Sequence, residues 1–168
     1  LRLCLKKALY EDAGLVCVRY PRGVDQSEPA FRDPNTTLAH YRKGGKILLV
    51  TYGRVFSEMI RAQMSLAAEG ICCDMLRLTQ IFPILPQAVA SMQEYDRVIF
   101  FEEGVKTGGI ASQVGDLLME AGFAGRYSSV AVQGFVKQAS VASSLEHAGL
   151  SAARMTEYVK EAVQQHAT

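Results

Sequence analysis

The segment 98–109, VIFFEEGVKTGG, restricts the fold more than any other stretch of the chain. Val98, Ile99, Phe100 and Phe101 form a continuous apolar run, the pattern of a strand covered on both faces in the middle of a parallel sheet. The run ends on two carboxylates, Glu102 and Glu103, and passes Gly104, Lys106 and Thr107 to the pair Gly108 and Gly109. Beyond that pair Ile110, Val114, Leu117, Leu118 and Ala121 recur at helical spacing, so the period changes from strand to helix across a glycine turn. In open α/β sheets, sites collect at the carboxyl ends of strands, which makes this corner the first place to look for function. The residue types alone also fit two acids that are solvated or bonded to nearby backbone N–H groups.

The same alternation runs through the chain. A short strand over 40–42 and a clear one over 46–52, KILLVTY, precede an amphipathic helix carrying Val55, Phe56, Met59, Ile60, Met64 and Ala67, which Gly70 terminates. A strand over 71–78 follows, then a connector and short helix over 83–92. After the opening corner come a strand over 128–132, a short helix following Ser140, and a last helix that starts on Ser151, a good N-cap. Its stripe of Ala152, Met155, Val159, Ala162 and Val163 predicts packing on the sheet. The pattern predicts a three-layer α/β/α domain on a mostly parallel sheet of about five strands. The first strand lies too close to the second for a parallel crossover, so it is expected at the edge and antiparallel.

Upstream, residues 20–35 read as a linker, because Pro21, Gly23, Pro29 and Pro34 alternate with charged and small polar residues. Before it, Leu3, Leu5, Ala8 and Leu9 make part of a helical face, followed by an apolar strand over 15–18. That beginning reads as the tail of a preceding unit in a longer polypeptide. The orphaned strand is expected to pack on the domain surface or on another chain.

With 168 residues, 49% hydrophobic, 21% charged and a formal net charge of +1, the composition is that of an ordinary globular domain. The balance gives no electrostatic reason to propose nucleic acid or an acidic membrane as partner, and no apolar stretch is long enough to span a bilayer. Cys4, Cys17, Cys72 and Cys73 lack CxxC spacing, and His40, His147 and His166 are scattered, so no metal site is expected. Unpaired cysteines fit a reduced, cytoplasmic setting. No Walker loop, no GxGxxG after a strand and no GxSxG elbow is present.

Two motifs and their separation add a family. Arg19-Tyr20-Pro21-Arg22-Gly23 resembles the end of the pyrimidine-binding domain of the deoxyxylulose-5-phosphate synthase family, thiamine-diphosphate-dependent enzymes of the transketolase superfamily. Phe101-Glu102-Glu103-Gly104 with Gly108-Gly109 resembles the signature of that superfamily's C-terminal domain, with 49–53 (LVTYG) and Gly149-Leu150-Ser151 falling in register. The chain departs from the family at Thr79, Gln80, Ile84 and Leu85, where an arginine and an acid commonly flank the proline, and at Gln133, Gln138 and Ala139, where an aspartate and a His-Gly pair are common. A transketolase or the beta subunit of a 2-oxoacid dehydrogenase is the alternative within the superfamily. A non-catalytic interaction module with the same fold is the alternative outside it.

The resemblance implies residues 1–23 as the tail of the pyrimidine-binding domain, 24–38 as linker and 39–168 as a transketolase-like C-terminal domain. It implies an enzyme that condenses pyruvate with glyceraldehyde 3-phosphate, with this domain serving assembly and active-site support. Thiamine diphosphate and magnesium would belong to the intact enzyme, and none is expected to bind this fragment, which is expected to be inactive alone. The implied partners are the remaining domains of the same polypeptide or a companion subunit, in a homodimer when intact. The matching substrate contact is Arg22, for the phosphate of the triose phosphate, since a guanidinium donates two parallel hydrogen bonds to phosphate oxygens. Arg19, Glu102, Glu103, Lys106, Thr107, Gly108 and Gly109 are implied as structural or interface residues, and no catalytic residue is expected here.

Overall fold

Two apolar strands sit at the centre of the molecule because their side chains fill both of its cores. In a computed structural model, which describes residues 1–21, 31 and 37–164, β2 (Ile47–Tyr52) and β4 (Arg97–Val105) lie side by side and parallel. Leu49, Ile99 and Phe101 point into one core and Leu48, Val50, Val98 and Phe100 into the other. Every one of these seven side chains is fully buried. That two-sided burial is why both segments read as unbroken apolar runs.

The sheet has five strands in the order β1-β3-β2-β4-β5. β3 (Cys73–Leu78) pairs parallel with β2, and β5 (Arg126–Val132) parallel with β4. β1 (Leu38–Tyr41) is the antiparallel edge, running Leu38 against Leu78 to Tyr41 against Met75. The mixed five-stranded sheet and its edge are as the periodicity predicts.

Helices cover both faces. On one side α2 (Val55–Ala68) packs with α5 (Val141–His147) and α6 (Ala152–Gln164). On the other lie α3 (Pro86–Met92) and α4 (Ile110–Glu120). The stripe on α6 buries Met155, Val159 and Ala162, with Ala152 and Val163 packed at the margin. Ser151 accepts the Arg154 N–H at 3.3 Å, the N-cap its type predicts.

The amino-terminal segment departs from expectation. α1 (Arg2–Tyr10) forms, but it buries none of its residues, and no strand forms over 15–18. Leu15 is fully exposed and Val16 partly so. A strand exists only through hydrogen bonds to a neighbour, and none of the described strands pairs with that apolar tetrad. The expected linker, 24–38, lies mostly outside the described residues.

Candidate functional site

The chain turns in opposite senses after its two central strands. β2 feeds α2 on one face and β3 on one side, whereas β4 feeds α4 on the other face and β5 on the other side. The carboxyl ends of β2 and β4 therefore flank the switch point of the sheet, the crevice where an open α/β fold has room for a ligand.

In this chain the crevice is closed by Glu102. Its side chain is 2% exposed and accepts hydrogen bonds from the backbone N–H groups of Ile110 and Ala111, both at 2.9 Å, and from the Tyr52 hydroxyl at 2.8 Å. The first two donors are unpaired amides of the α4 N-terminus, where negative charge is favoured. The third crosses from β2. One carboxylate thus ties β2, β4 and α4 together at the place where other α/β proteins hold a phosphate.

The glycines of the motif make room for it. A Cβ on Gly109 would stand 2.3 Å from the Val105 carbonyl oxygen and 2.6 Å from Glu102 Oε2, and one on Gly104 would stand 2.8 Å from Glu102 Oε1. Gly108 has φ +75°, a conformation that other residues adopt only under strain. The glutamate-glutamate-glycine and glycine-glycine pattern is therefore a cage around one buried acid. Past it the β4–β5 register slips between Glu102 and Val105, which lets the chain leave the sheet for the turn.

Glu103 turns the other way, against Arg54 at the head of α2. The guanidinium meets it with both Nε, at 2.7 Å, and Nη2, a bidentate pair about one-third exposed. Lys106 and Thr107 are exposed, and the Lys106 N–H bonds to the Val132 carbonyl at 3.0 Å. Arg19 lies near enough for its charge to act on the Tyr52 hydroxyl. Burial, the hydrogen bond to Glu102 and the Glu102 charge push that phenol well above its ordinary 10.0, while Arg19 opposes the rise. The structure thus gathers Arg19, Glu102, Glu103, Gly108 and Gly109 around one corner. Arg22 lies outside the described residues.

Thr51 and Tyr52 belong to the corner too. Thr51 is fully buried and donates to the Phe101 carbonyl at 2.6 Å. Sequence reading placed both on a strand without a role, because their partners lie about fifty positions away and no local spacing announces them.

A second polar network escaped the sequence for the same reason. At the amino-terminal end of the sheet Asp74, 2% exposed, accepts the N–H groups of Lys43 at 2.7 Å and Gly45 at 3.0 Å, and the Tyr95 hydroxyl at 2.7 Å. Tyr95 spends its one proton on Asp74. The 2.7 Å contact to His40 Nε2 is therefore a donation from the imidazole. Burial raises the Asp74 carboxyl, yet the hydrogen bonds from Tyr95, Lys43 and Gly45 together hold it below its ordinary value. Burial and Arg42 lower His40, against the pull of Asp74 and Glu94.

These residues do not fit a diphosphate and its metal. Among the described residues no cluster of His, Cys, Asp or Glu could hold a metal ion, and the helix N-terminus at the switch point is filled by the protein's own carboxylate. No helix among them is long and apolar enough to cross a membrane.

A five-stranded mixed α/β sheet with a glycine-caged glutamate at its switch point defines a class, and comparison with known families identifies it. Residues 37–155 match the family "Transketolase, C-terminal domain", and the chain belongs to that family. Among curated relatives, the 1-deoxy-D-xylulose-5-phosphate synthase of Helicobacter pylori (strain ATCC 700392 / 26695) is 29% identical over 124 residues, which is 71% of this chain and 20% of that protein. The enzyme of the same name from Treponema pallidum (strain Nichols) is 33% identical over 127 residues, 70% of this chain and 20% of its own length. The chain spans about a fifth of the length of such relatives. Among solved structures, a split gene transketolase described as an inactive beta4 tetramer superposes with a TM-score of 0.70 at 23% identity, over 84% of this chain and 46% of that one. Transketolase from Campylobacter jejuni gives 0.58 at 15% identity over 80% of this chain and 20% of its own. At these identities the superpositions establish the fold.

Proposed function

We propose that the chain is the C-terminal portion of a thiamine-diphosphate-dependent deoxyxylulose-5-phosphate synthase-like enzyme that condenses pyruvate with glyceraldehyde 3-phosphate. The observation that carries this reading is the closed corner. Glu102 and Glu103 are committed to Tyr52, α4 and Arg54, so neither acid at the switch point is left idle. A domain built this way serves assembly and support of an active site whose cofactor is held elsewhere.

In this reading residues 1–23 are the tail of the pyrimidine-binding domain and 24–38 the linker. The thiamine cofactor, bound outside this chain, carries the carbanion chemistry. Arg22 binds the phosphate of the triose phosphate, and the working enzyme is a cytoplasmic homodimer. The chain alone binds no thiamine diphosphate; micromolar affinity in calorimetry would overturn that statement. In the protein with its remaining domains, Arg22→Ala should weaken use of triose phosphate about 10- to 100-fold, the worth of one charged bidentate contact. Pyruvate decarboxylation should be nearly unchanged. Equal loss of both would remove Arg22 from the phosphate site.

A second reading is favoured by one comparison, the likeness to a split gene transketolase. There the thiamine-binding domains would sit on a companion subunit, and the chain would co-purify with it.

A further inference from the structure

We propose that Phe31 is a positioning residue, a ring that plugs into a socket on the domain and fixes the course of the linker; this rests on the reading of 24–38 as an interdomain segment. The socket is assembled from three elements. Phe31 meets the Tyr41 ring of β1 edge-on, with centroids 5.2 Å apart, and the Phe56 ring of α2 at 6.2 Å. Its carbonyl accepts the Tyr41 hydroxyl at 2.8 Å and Nη1 of Arg77, from β3, at 3.4 Å.

The socket is anchored in the core. Phe56 is 3% exposed, stands 5.6 Å from the Tyr41 ring, and carries the Arg77 guanidinium 5.0 Å above its centroid. Edge-to-face pairs and part-buried hydrogen bonds each shift an equilibrium severalfold, so two of each hold the plug seated. The surrounding sequence, rich in proline, glycine and charge, offers no other large aromatic ring between Pro21 and Leu38.

Seating the ring gives the chain one fixed point of attachment beside β1 and α2.

The test is trypsin digestion of the native full chain, read by mass spectrometry at the bonds after Arg22 and Arg32. Phe31→Ala should speed cleavage there about tenfold, with Phe31→Tyr close to the parent. Circular dichroism on the same samples reports whether each variant is folded, and Phe31→Leu serves if the alanine variant is not. Equal cleavage rates in the parent, alanine and leucine proteins would overturn the proposal. In the protein with its remaining domains, Phe31→Ala should raise KM for triose phosphate severalfold at unchanged kcat, and Phe31→Tyr should restore it. If the intact protein has no synthase activity, the functional reading fails, while the cleavage rates still decide the plug.

Discussion

Removing the carboxylate of Glu102 should unfasten the switch point. Glu102→Ala leaves the N–H groups of Ile110 and Ala111 and the Tyr52 hydroxyl without their acceptor in a site where the glutamate itself was 2% exposed. Each stranded donor costs about 1–3 kcal/mol. Tyr52 is partly open to water and recovers some of its share, so the expected total is about 3–6 kcal/mol, out of the roughly 5–15 kcal/mol that holds a typical domain folded. Glu102→Gln keeps the shape and one acceptor oxygen but turns an NH2 toward a donor and loses the charge at the helix end, for about 1–3 kcal/mol.

Urea unfolding of the full chain, followed by circular dichroism, measures both variants. The midpoints should fall in the order parent, glutamine, alanine at a common slope, because the surface exposed on unfolding is unchanged. Tyr52 supplies an independent reading. Its titration, monitored by absorbance, should move down toward 10.0 in the glutamine variant, since the hydrogen bond and charge of Glu102 help to raise it. An alanine variant within about 0.5 kcal/mol of the parent would refute the cage, that being the scatter of ordinary surface substitutions.

Other expectations concern the periphery and the far end of the sheet. Arg54→Ala, which breaks a pair about one-third exposed, should cost no more than about 1 kcal/mol in the same urea assay, and a larger loss would make Glu103 the equal of Glu102. His40 has a folded pKa below its ordinary 6.5, through burial and Arg42, with Asp74 and Glu94 opposing. Its share of stability is in place above that value and is lost as the pH falls from there through the lowered folded value, because the unfolded chain takes the proton first. His40→Gln retains a donor for Tyr95 and should flatten the stability profile on the acid side of neutrality; unchanged curvature would exclude His40 as its source. Cys73 is buried and its thiol is pushed up to about 12, whereas Cys72 is exposed, so a thiol reagent should label Cys72 in the folded protein and Cys73 only on unfolding.

What the sequence disclosed and what it withheld divide along the range of the interactions. Val98 to Phe101 could be placed at the centre of the sheet because burial on both faces removes polar residues from every position, a signal carried by neighbours in the chain. The strand nevertheless runs on to Val105, past the two acids, because Glu102 still pairs with Ala131 across the sheet. Leu15 and Val16 carried the same apolar signal, but none of the described strands pairs with them. Tyr52, Arg54, Asp74, Tyr95 and Phe31 act through residues distant in sequence, and nothing around them distinguishes a satisfied hydroxyl or a seated ring from a solvated one. The two glutamates were visible at once, but which of them the fold had swallowed depended on two glycine approaches that only coordinates give.

The amides of Ile110 and Ala111 are anchored by a side chain from β4, the strand whose alternate residues fill both hydrophobic layers. Helix ends normally fray, so their first amides exchange with deuterium through small local openings. These two can exchange only when the Glu102 bond is broken, and breaking it disturbs the strand common to both layers. Their exchange should therefore follow the slowest amides of β2 and β4, making the start of a helix a reporter of whether the two layers come apart in one cooperative step.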